Sequence, residues 1–332
     1  MKPWLIEYLI CPITGNDLRL TSEETDSSGE IIAGILATKN GQFKYKIIDG
    51  IPRFVKDHYA GGFGLQWKTH DLSQIDTESM RLSEERFWGE TGFDPKSMKD
   101  QLVLDGGCGA GRFTDVASRA GAKVIAVDLS EAVEATHKNF AKKRDNVTVI
   151  QASLFNLPLK RAIFDYAFTL GVIHHTPRPL DALRSVAKMV KPNGEAGLSW
   201  YKKYWYTYLH QKYILRPIFK NWSEKSLYQF VNWYVPKVLP LSRLLSKIPF
   251  VELVIDRILP VANRDYIEGT SDSEKVDLAI LDTFDWFNPK YDLPQTWKDV
   301  EEVMKEEGFI CARSPRKRRG LHCIRSGIGQ LA

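Results

Sequence analysis

The chain has 332 residues, enough for about two domains. Its 43% hydrophobic and 26% charged residues exclude a disordered or fibrous chain, and a net charge of +5 permits an anionic partner without requiring one. Cys11, Cys108, Cys311 and Cys323 show no paired spacing, so no disulfide framework is expected and the chain reads as cytoplasmic. The first segment carries Glu7 and stops at Pro12, too short and interrupted for a signal peptide. No run of about 18 uncharged apolar residues occurs, so no transmembrane segment is expected.

Residues 1–56 read as a small β-rich module. Y-K-I-I-D-G-I-P-R-F-V (45–55) holds two β-prone runs around Asp49-Gly50, and T-S-E-E-T-D-S-S-G-E (21–30) reads as a polar loop or hairpin tip. Residues 57–100 form a connector, with glycine-rich A-G-G-F-G (60–64) and a helix over 79–88. From 101 to 200, strands alternate with helices. L-V-L-D (102–105), K-V-I-A-V-D (123–128), N-V-T-V-I-Q-A (146–152), F-D-Y-A-F-T-L (164–170) and E-A-G-L-S-W (195–200) are the strands. Leu180, Leu183, Val186, Ala187 and Val190 share one helical face, and K-P-N-G (191–194) ends that helix. The alternation predicts an α/β fold with a doubly wound, mostly parallel sheet. Residues 201–292 interrupt it with a helical, aromatic and basic insertion, which Pro217, Pro236, Pro240, Pro249 and Pro260 are expected to cut into short helices. Residues 293–332 resume the pattern with an amphipathic helix over 295–309, closed by Gly308, and two strands.

The most informative stretch is V-L-D-G-G-C-G-A-G-R-F (103–113). Ligands of open α/β sheets bind outside the carboxyl ends of the strands, where glycine lets the backbone approach them closely. The dinucleotide pattern G-x-G-x-x-G/A, started at Gly107, would put Arg112 at its last position. No G-K-[S/T] follows, which argues against a phosphate-binding loop. Asp105 in front of the glycines suits a ligand bearing a cation better than a pyrophosphate. Asp128, at the end of the next strand, is placed to accept both ribose hydroxyls of a nucleoside.

These motifs, with V-I-A-V-D-L-S, N-L-P-L, F-D-Y-A-F-T-L-G-V-I-H-H-T-P-R-P and V-K-P-N-G in the same order, resemble those of class I S-adenosylmethionine-dependent methyltransferases. The resemblance covers residues 101–200, and the C-terminal helix and strands extend it. It implies a Rossmann-like seven-stranded sheet whose last strand is antiparallel, and S-adenosyl-L-methionine as cofactor. By that resemblance Asp105 holds the methionine amino group, and Gly107, Gly109 and Gly111 make room for the methionine and ribose. Asp128 binds the ribose hydroxyls and Leu129 packs on the adenine. Ser153 stands where the family usually has an acid for the adenine amino group, leaving the backbone of Leu154 to serve. Gly171 and Val172 lie beside the methionine moiety.

The N-terminal module resembles the zinc-ribbon-like domain found beside many bacterial methyltransferases. Its expected cysteine pairs are reduced to Cys11 with Thr14, and Thr38 with Gly41, so no zinc is expected. His174 and His175, after the fourth strand, are candidate general bases. Phe63 and Trp67 lie in a candidate lid over 59–67, and Arg86 is a further pocket candidate or a surface ion pair. The insertion is placed where this superfamily builds substrate caps, and its aromatics read first as the core of such a cap; they also suit an apolar or sugar-stacking cleft, a peripheral membrane contact or a second subunit. R-S-P-R-K-R-R-G (313–320) is a basic run in a hairpin, read as a solvated loop. The leading reading is a methyltransferase acting on an O or N atom of a small molecule: a sugar, lipid-linked intermediate or secondary metabolite. An RNA methyltransferase is the alternative, although no RNA-binding module with its own signature is present. A non-catalytic partner-binding protein of this fold is the third reading.

Overall fold

The computed structural model describes residues 1–55, 76, 81–248, 251, 259–263, 271–313 and 320–327. Phe63, Trp67 and the rest of the candidate lid, Pro249, and positions 314–319 of the basic run lie outside the described residues. The chain forms two compact units. One comprises residues 1–75, 82–202 and 293–332; the other comprises 76–81 and 203–292.

The first unit is built on a sheet of eleven strands. In chain order these are β1 (Leu18–Thr25), β2 (Ile31–Thr38), β3 (Lys44–Ile48), β4 (Ile51–Arg53), β5 (Leu102–Gly106), β6 (Lys123–Asp128), β7 (Val147–Gln151), β8 (Phe164–Leu170), β9 (Val190–Ser199), β10 (Phe309–Arg313) and β11 (Gly320–Arg325). They lie in the order β1-β2-β3-β4-β7-β6-β5-β8-β9-β11-β10. From β7 to β10 this is the expected seven-stranded sheet, parallel except for β11, which runs antiparallel to both of its neighbours. The doubly wound, Rossmann-like architecture follows from the βα alternation.

The helices of this unit are α1 (Leu82–Thr91), α2 (Arg112–Arg119), α3 (Val133–Thr136, continued by a π-helical turn, His137–Ala141), α4 (Pro179–Ala187) and, after the second unit, α8 (Trp297–Glu306). Alternation along the strands assigns the two faces. Leu104 and Ile125 pack with Leu183 and Val186 of α4 and Val303 and Met304 of α8. Their neighbours Val103 and Val124 pack with Phe87 of α1 and Phe113 and Val116 of α2. Phe87 is fully buried, its ring 5.0 Å from that of Phe168.

Several features go beyond the sequence reading or differ from it. The N-terminal module joins the central sheet: β4 pairs in parallel with β7 at Arg53–Gln151, so β1–β4 continue that sheet. Residues 21–25 belong to β1, because the hairpin with β2 extends to Thr25–Ile31 and only Asp26–Glu30 form the tip. Helix α4 ends at Ala187, and K-P-N-G sits inside β9, where Asn193 takes a positive φ of 63° and the pairing with β8 shifts register. A disulfide joins Cys311 to Cys323, which face each other across β10 and β11 with Cα atoms 4.0 Å apart. Strand register, invisible in cysteine spacing, creates that pair.

Asp49 and Gly50, both with positive φ, form the tight turn between β3 and β4. Cys11 is buried with its Sγ 3.2 Å from the Tyr45 hydroxyl, and the Thr38 hydroxyl donates to Asn40 Oδ1 at 2.7 Å. Among the described residues no group of three or more His, Cys, Asp or Glu could hold a metal ion.

The second unit contains α5 (Gln211–Phe219), α6 (Glu224–Leu245) and α7 (Asp272–Phe287). Leu227, Val231, Val235 and Leu239 line one face of α6 and pack with Ala279, Ile280, Phe284 and Phe287 of α7. The breaks expected at Pro217, Pro236 and Pro240 do not occur: α6 runs 22 residues through Pro236 and Pro240, and α5 contains Pro217. All three prolines are exposed, so the backbone carbonyls they leave unpaired can turn to water while the buried face holds the helix. Asp292 is buried and takes the Tyr213 hydroxyl at 3.1 Å and an ion pair from Lys212, fastening α5 to the end of the unit.

Candidate active site

Strand β5 lies between β6 and β8, and the chain winds outward from it in both directions. Its carboxyl end is therefore the switch point where a doubly wound sheet opens a crevice. The glycine loop leaves the sheet here. Gly107, Gly109 and Gly111 all have positive φ, at 95°, 53° and 89°. The protein itself fills the space that two of them leave. A Cβ on Gly107 would lie 2.4 Å from Val172, and one on Gly111 would lie 2.8 Å from the Phe140 ring. These glycines thus serve the loop's own packing as well as any close approach by a ligand.

The loop is braced from below and behind. The backbone N–H groups of Gly107 and Cys108 both donate to Val127 O, at 2.8 and 3.0 Å. Thr136 Oγ1 donates to Gly109 O at 2.7 Å. The π-helical turn after Thr136 holds Phe140 against Gly111.

Asp105 is the penultimate residue of β5 and only 2% exposed. Its Oδ2 accepts the Thr114 hydroxyl at 2.6 Å, from the third residue of α2. Burial pushes the Asp105 carboxyl up to about 7; the Thr114 hydrogen bond opposes this and the nearby Asp128 carboxylate reinforces it. Among the described residues no cation forms an ion pair with Asp105. A desolvated carboxylate held this way fits the ammonium group of a methionine moiety, which would draw it back to the ionised form.

Asp128 ends β6 and is partly exposed. Oδ2 accepts from Gly109 N at 3.0 Å, and Oδ1 accepts from Ser130 N and Oγ at 2.8 and 2.7 Å. A carboxylate offers about four acceptor sites, so Oδ2 keeps capacity for a further donor such as a hydroxyl. Leu129 is buried, and its carbonyl accepts from Gln151 Nε2 at 3.1 Å. Gln151 is held in turn by Arg53 Nη1 at 2.9 Å, so the N-terminal module supports the segment behind Asp128.

The structure brings Leu154 and Val172 to the same place: they lie beside Gly106 and Gly107 respectively. Gly171 follows β8 with a φ of 77°, and Arg86 Nη2 would lie 3.5 Å from a Cβ there. Arg86 also makes the expected ion pair, Nε to Glu90 Oε1 at 3.0 Å. The Ser153 side chain acts locally, where its hydroxyl accepts from Phe155 N at 3.3 Å and caps the short helical turn Leu154–Asn156. The two histidines differ. His174 is fully buried and its Nδ1 accepts from Tyr201 N at 3.3 Å, so Nδ1 is the unprotonated nitrogen. His175 is partly exposed, with its ring 4.1 Å from that of His174.

The sequence reading did not single out Thr114, Gln151, Arg53, Phe140 or Tyr201. Each supports a candidate site residue from another element. A buried threonine on the inner face of α2 is the kind of signal that could have pointed to Thr114.

The raised Asp105 carboxyl links stability to pH. The folded protein holds this proton up to about pH 7, whereas the unfolded chain loses it near 3.8. The associated stability is fully present below about pH 4 and is lost as pH rises towards 7, on the order of 4 kcal/mol in the absence of ligand. Asp105→Asn removes this dependence and keeps an acceptor for Thr114. Denaturant unfolding at pH 4, 5.5 and 8 should show the variant gaining on the wild type as pH rises, with a plateau above about 7.

Residues 104–197 match the methyltransferase domain family. A ubiquinone biosynthesis O-methyltransferase of Coxiella burnetii is 29% identical over 141 residues, covering 41% of this chain and 59% of that protein. A tRNA U34 carboxymethyltransferase of Cellvibrio japonicus is 37% identical over 103 residues, covering 30% and 32% of the two chains. The crystal structure of magnesium protoporphyrin IX methyltransferase from Synechocystis PCC 6803 is 16% identical, with 69% and 76% of the two chains covered and a TM-score of 0.38. The chain spans little more than half the length of the first curated relatives it matches. Residues 104–197 are a methyltransferase domain, and the cofactor of that domain is S-adenosylmethionine.

Proposed function

We propose that the whole chain transfers a methyl group to an oxygen or nitrogen atom of a small molecule. The observation that carries the cofactor half of this reading is the pair of strand-end carboxylates, Asp105 and Asp128, on either side of one glycine loop. The cofactor supplies a methyl carbon on a sulfonium, and the protein's work is position and orientation. Asp105 anchors the amino group, Asp128 takes the ribose hydroxyls, and Leu129 and Leu154 flank the adenine. Ser153 contributes through the backbone turn it caps rather than as an adenine ligand. The likeness to a ubiquinone O-methyltransferase supports a small acceptor. The tRNA-modifying relative favours the second reading, an RNA acceptor that the basic run 313–319 would hold.

An acceptor hydroxyl must lose a proton, and we assign that role to His175. His174 is committed to Tyr201 through Nδ1 and serves to position the loop. His175→Gln should lower kcat by about 10²- to 10⁴-fold and remove the acidic limb of the pH–rate profile. His174→Gln should act on stability, with the acidic limb kept. A retained acidic limb in His175→Gln would contradict the assignment.

Asp128→Ala should weaken S-adenosylhomocysteine binding by about 1.5–3 kcal/mol, roughly 10- to 150-fold, as charge-assisted hydrogen bonds are lost. Calorimetry on the two proteins checks this, and equal affinities would remove Asp128 from the site. The acceptor class is read by offering methyl-labelled cofactor with either a panel of small hydroxyl and amine compounds or bulk RNA. Label in the small compounds, unchanged when Arg316, Lys317, Arg318 and Arg319 are all neutralised, is the expected outcome. Label in RNA alone, lost in that variant with a flattened salt dependence, would promote the RNA reading.

A further inference from the structure

Charge is not spread evenly along the chain. Residues 203–248 hold eight lysines and arginines and a single acid, Glu224, so the rest of the chain is net negative. Lys203, Lys220, Lys225, Lys237 and Lys247 are exposed. The same segment exposes large apolar groups. Trp205 is 89% exposed, Leu244 62% and Trp233 59%.

On α6 these groups form an ordered face. Leu227, Val231, Val235 and Leu239 occupy the buried side. Trp233, Lys237, Leu241, Leu244 and, just past the helix end, Ile248 follow one another at spacings of three and four along the exposed side. The helix is therefore apolar on both sides, whereas an ordinary surface helix turns a polar side to water. A series of rings runs from this face towards α5: Trp233 lies 6.2 Å from Phe230, Phe230 5.6 Å from Trp222, and Trp222 5.3 Å from Phe219; the two phenylalanines are half-buried against the core, and Trp222 and Trp233 are exposed. Lys237 Nζ stands 4.0 Å above the Trp233 ring.

We propose that this outer face of α6, with the aromatic ring series beside it, seats the protein on a lipid bilayer surface bearing anionic headgroups. Three observations select that occupant. Tryptophan beside lysine suits the boundary where apolar chains meet headgroups: the ring enters the boundary and the ammonium reaches the phosphates. The excess of positive charge complements an anionic leaflet, whereas a second copy of this chain would bring two faces of like charge together. RNA would find no stacking surface on Leu241, Leu244 and Ile248. Among the described residues no helix is long and apolar enough to cross a membrane, so the contact is one of lying on the surface. The proposal holds whatever the methyl acceptor is.

The test is co-sedimentation of the full chain with vesicles of phosphatidylcholine alone or with about 30% phosphatidylglycerol. The wild type should partition onto the anionic vesicles, and about 0.5 M salt should weaken the binding. Trp233→Ser, Leu241→Ser and Leu244→Ser together should lower the partition at least about tenfold while S-adenosylhomocysteine binding stays intact. On the wild type, acyl chains brominated near the headgroup should quench tryptophan fluorescence, and Trp233→Phe should reduce that quenching. The quenching result decides the matter if the triple variant does not fold. Failure of the wild type to bind anionic vesicles would overturn the proposal, as would a triple variant that binds equally well. A lipid-independent dimer, or RNA retention, that the triple variant abolishes would assign the face to that partner instead.

Discussion

A carboxylate that loses its water must be compensated or protonated, and Asp105 meets that constraint at the centre of the fold. It sits at the end of the middle strand of the parallel sheet, buried, with the Thr114 hydroxyl at 2.6 Å and a second carboxylate nearby. Its position follows from β5, whose five residues are all buried and whose backbone is paired on both sides. The glycine loop begins one residue later because the chain must turn sharply to start α2 above the sheet. Val172 and Phe140 then close on Gly107 and Gly111, which fixes the loop around the carboxylate. The result is a site whose electrostatics are set by the scaffold before any ligand arrives.

Much of this was legible in the sequence, for a physical reason. Buried parallel strands are short apolar runs, and an aspartate closing such a run stands out, so Asp105, Asp128 and the winding of the sheet could be read directly. Where the sequence failed, the cause was contact between distant segments. Nothing in Arg53 or Gln151 announces that β4 adds to β7, yet that one pairing merges the N-terminal module with the central sheet. Cys311 and Cys323 pair only because a hairpin sets them in register. His174 and His175 are adjacent and look alike; only the backbone N–H of Tyr201, beyond β9, separates a committed ring from a more accessible one. Pro236 and Pro240 suggested breaks, but local preference yielded to a continuous buried face along α6.

The two units divide the chemistry. The first carries the glycine loop and the two strand-end carboxylates, Asp105 and Asp128. The second concentrates positive charge and exposed aromatic surface, which the cofactor site does not need. Departures from the expected pattern carry information as well. Ser153 stands where an acid was expected, and its hydroxyl is spent on capping its own turn.

The central claim is that the Asp105 carboxylate, protonated when alone, ionises to receive a cationic amino group. Counting protons during binding tests it most directly. Calorimetric titration of S-adenosylhomocysteine at about pH 6, in two buffers of different ionisation enthalpy, gives that count. Release of close to one proton per site by the wild type, and of none by Asp105→Asn, is the result expected. Binding with the same proton count in both proteins would contradict the account.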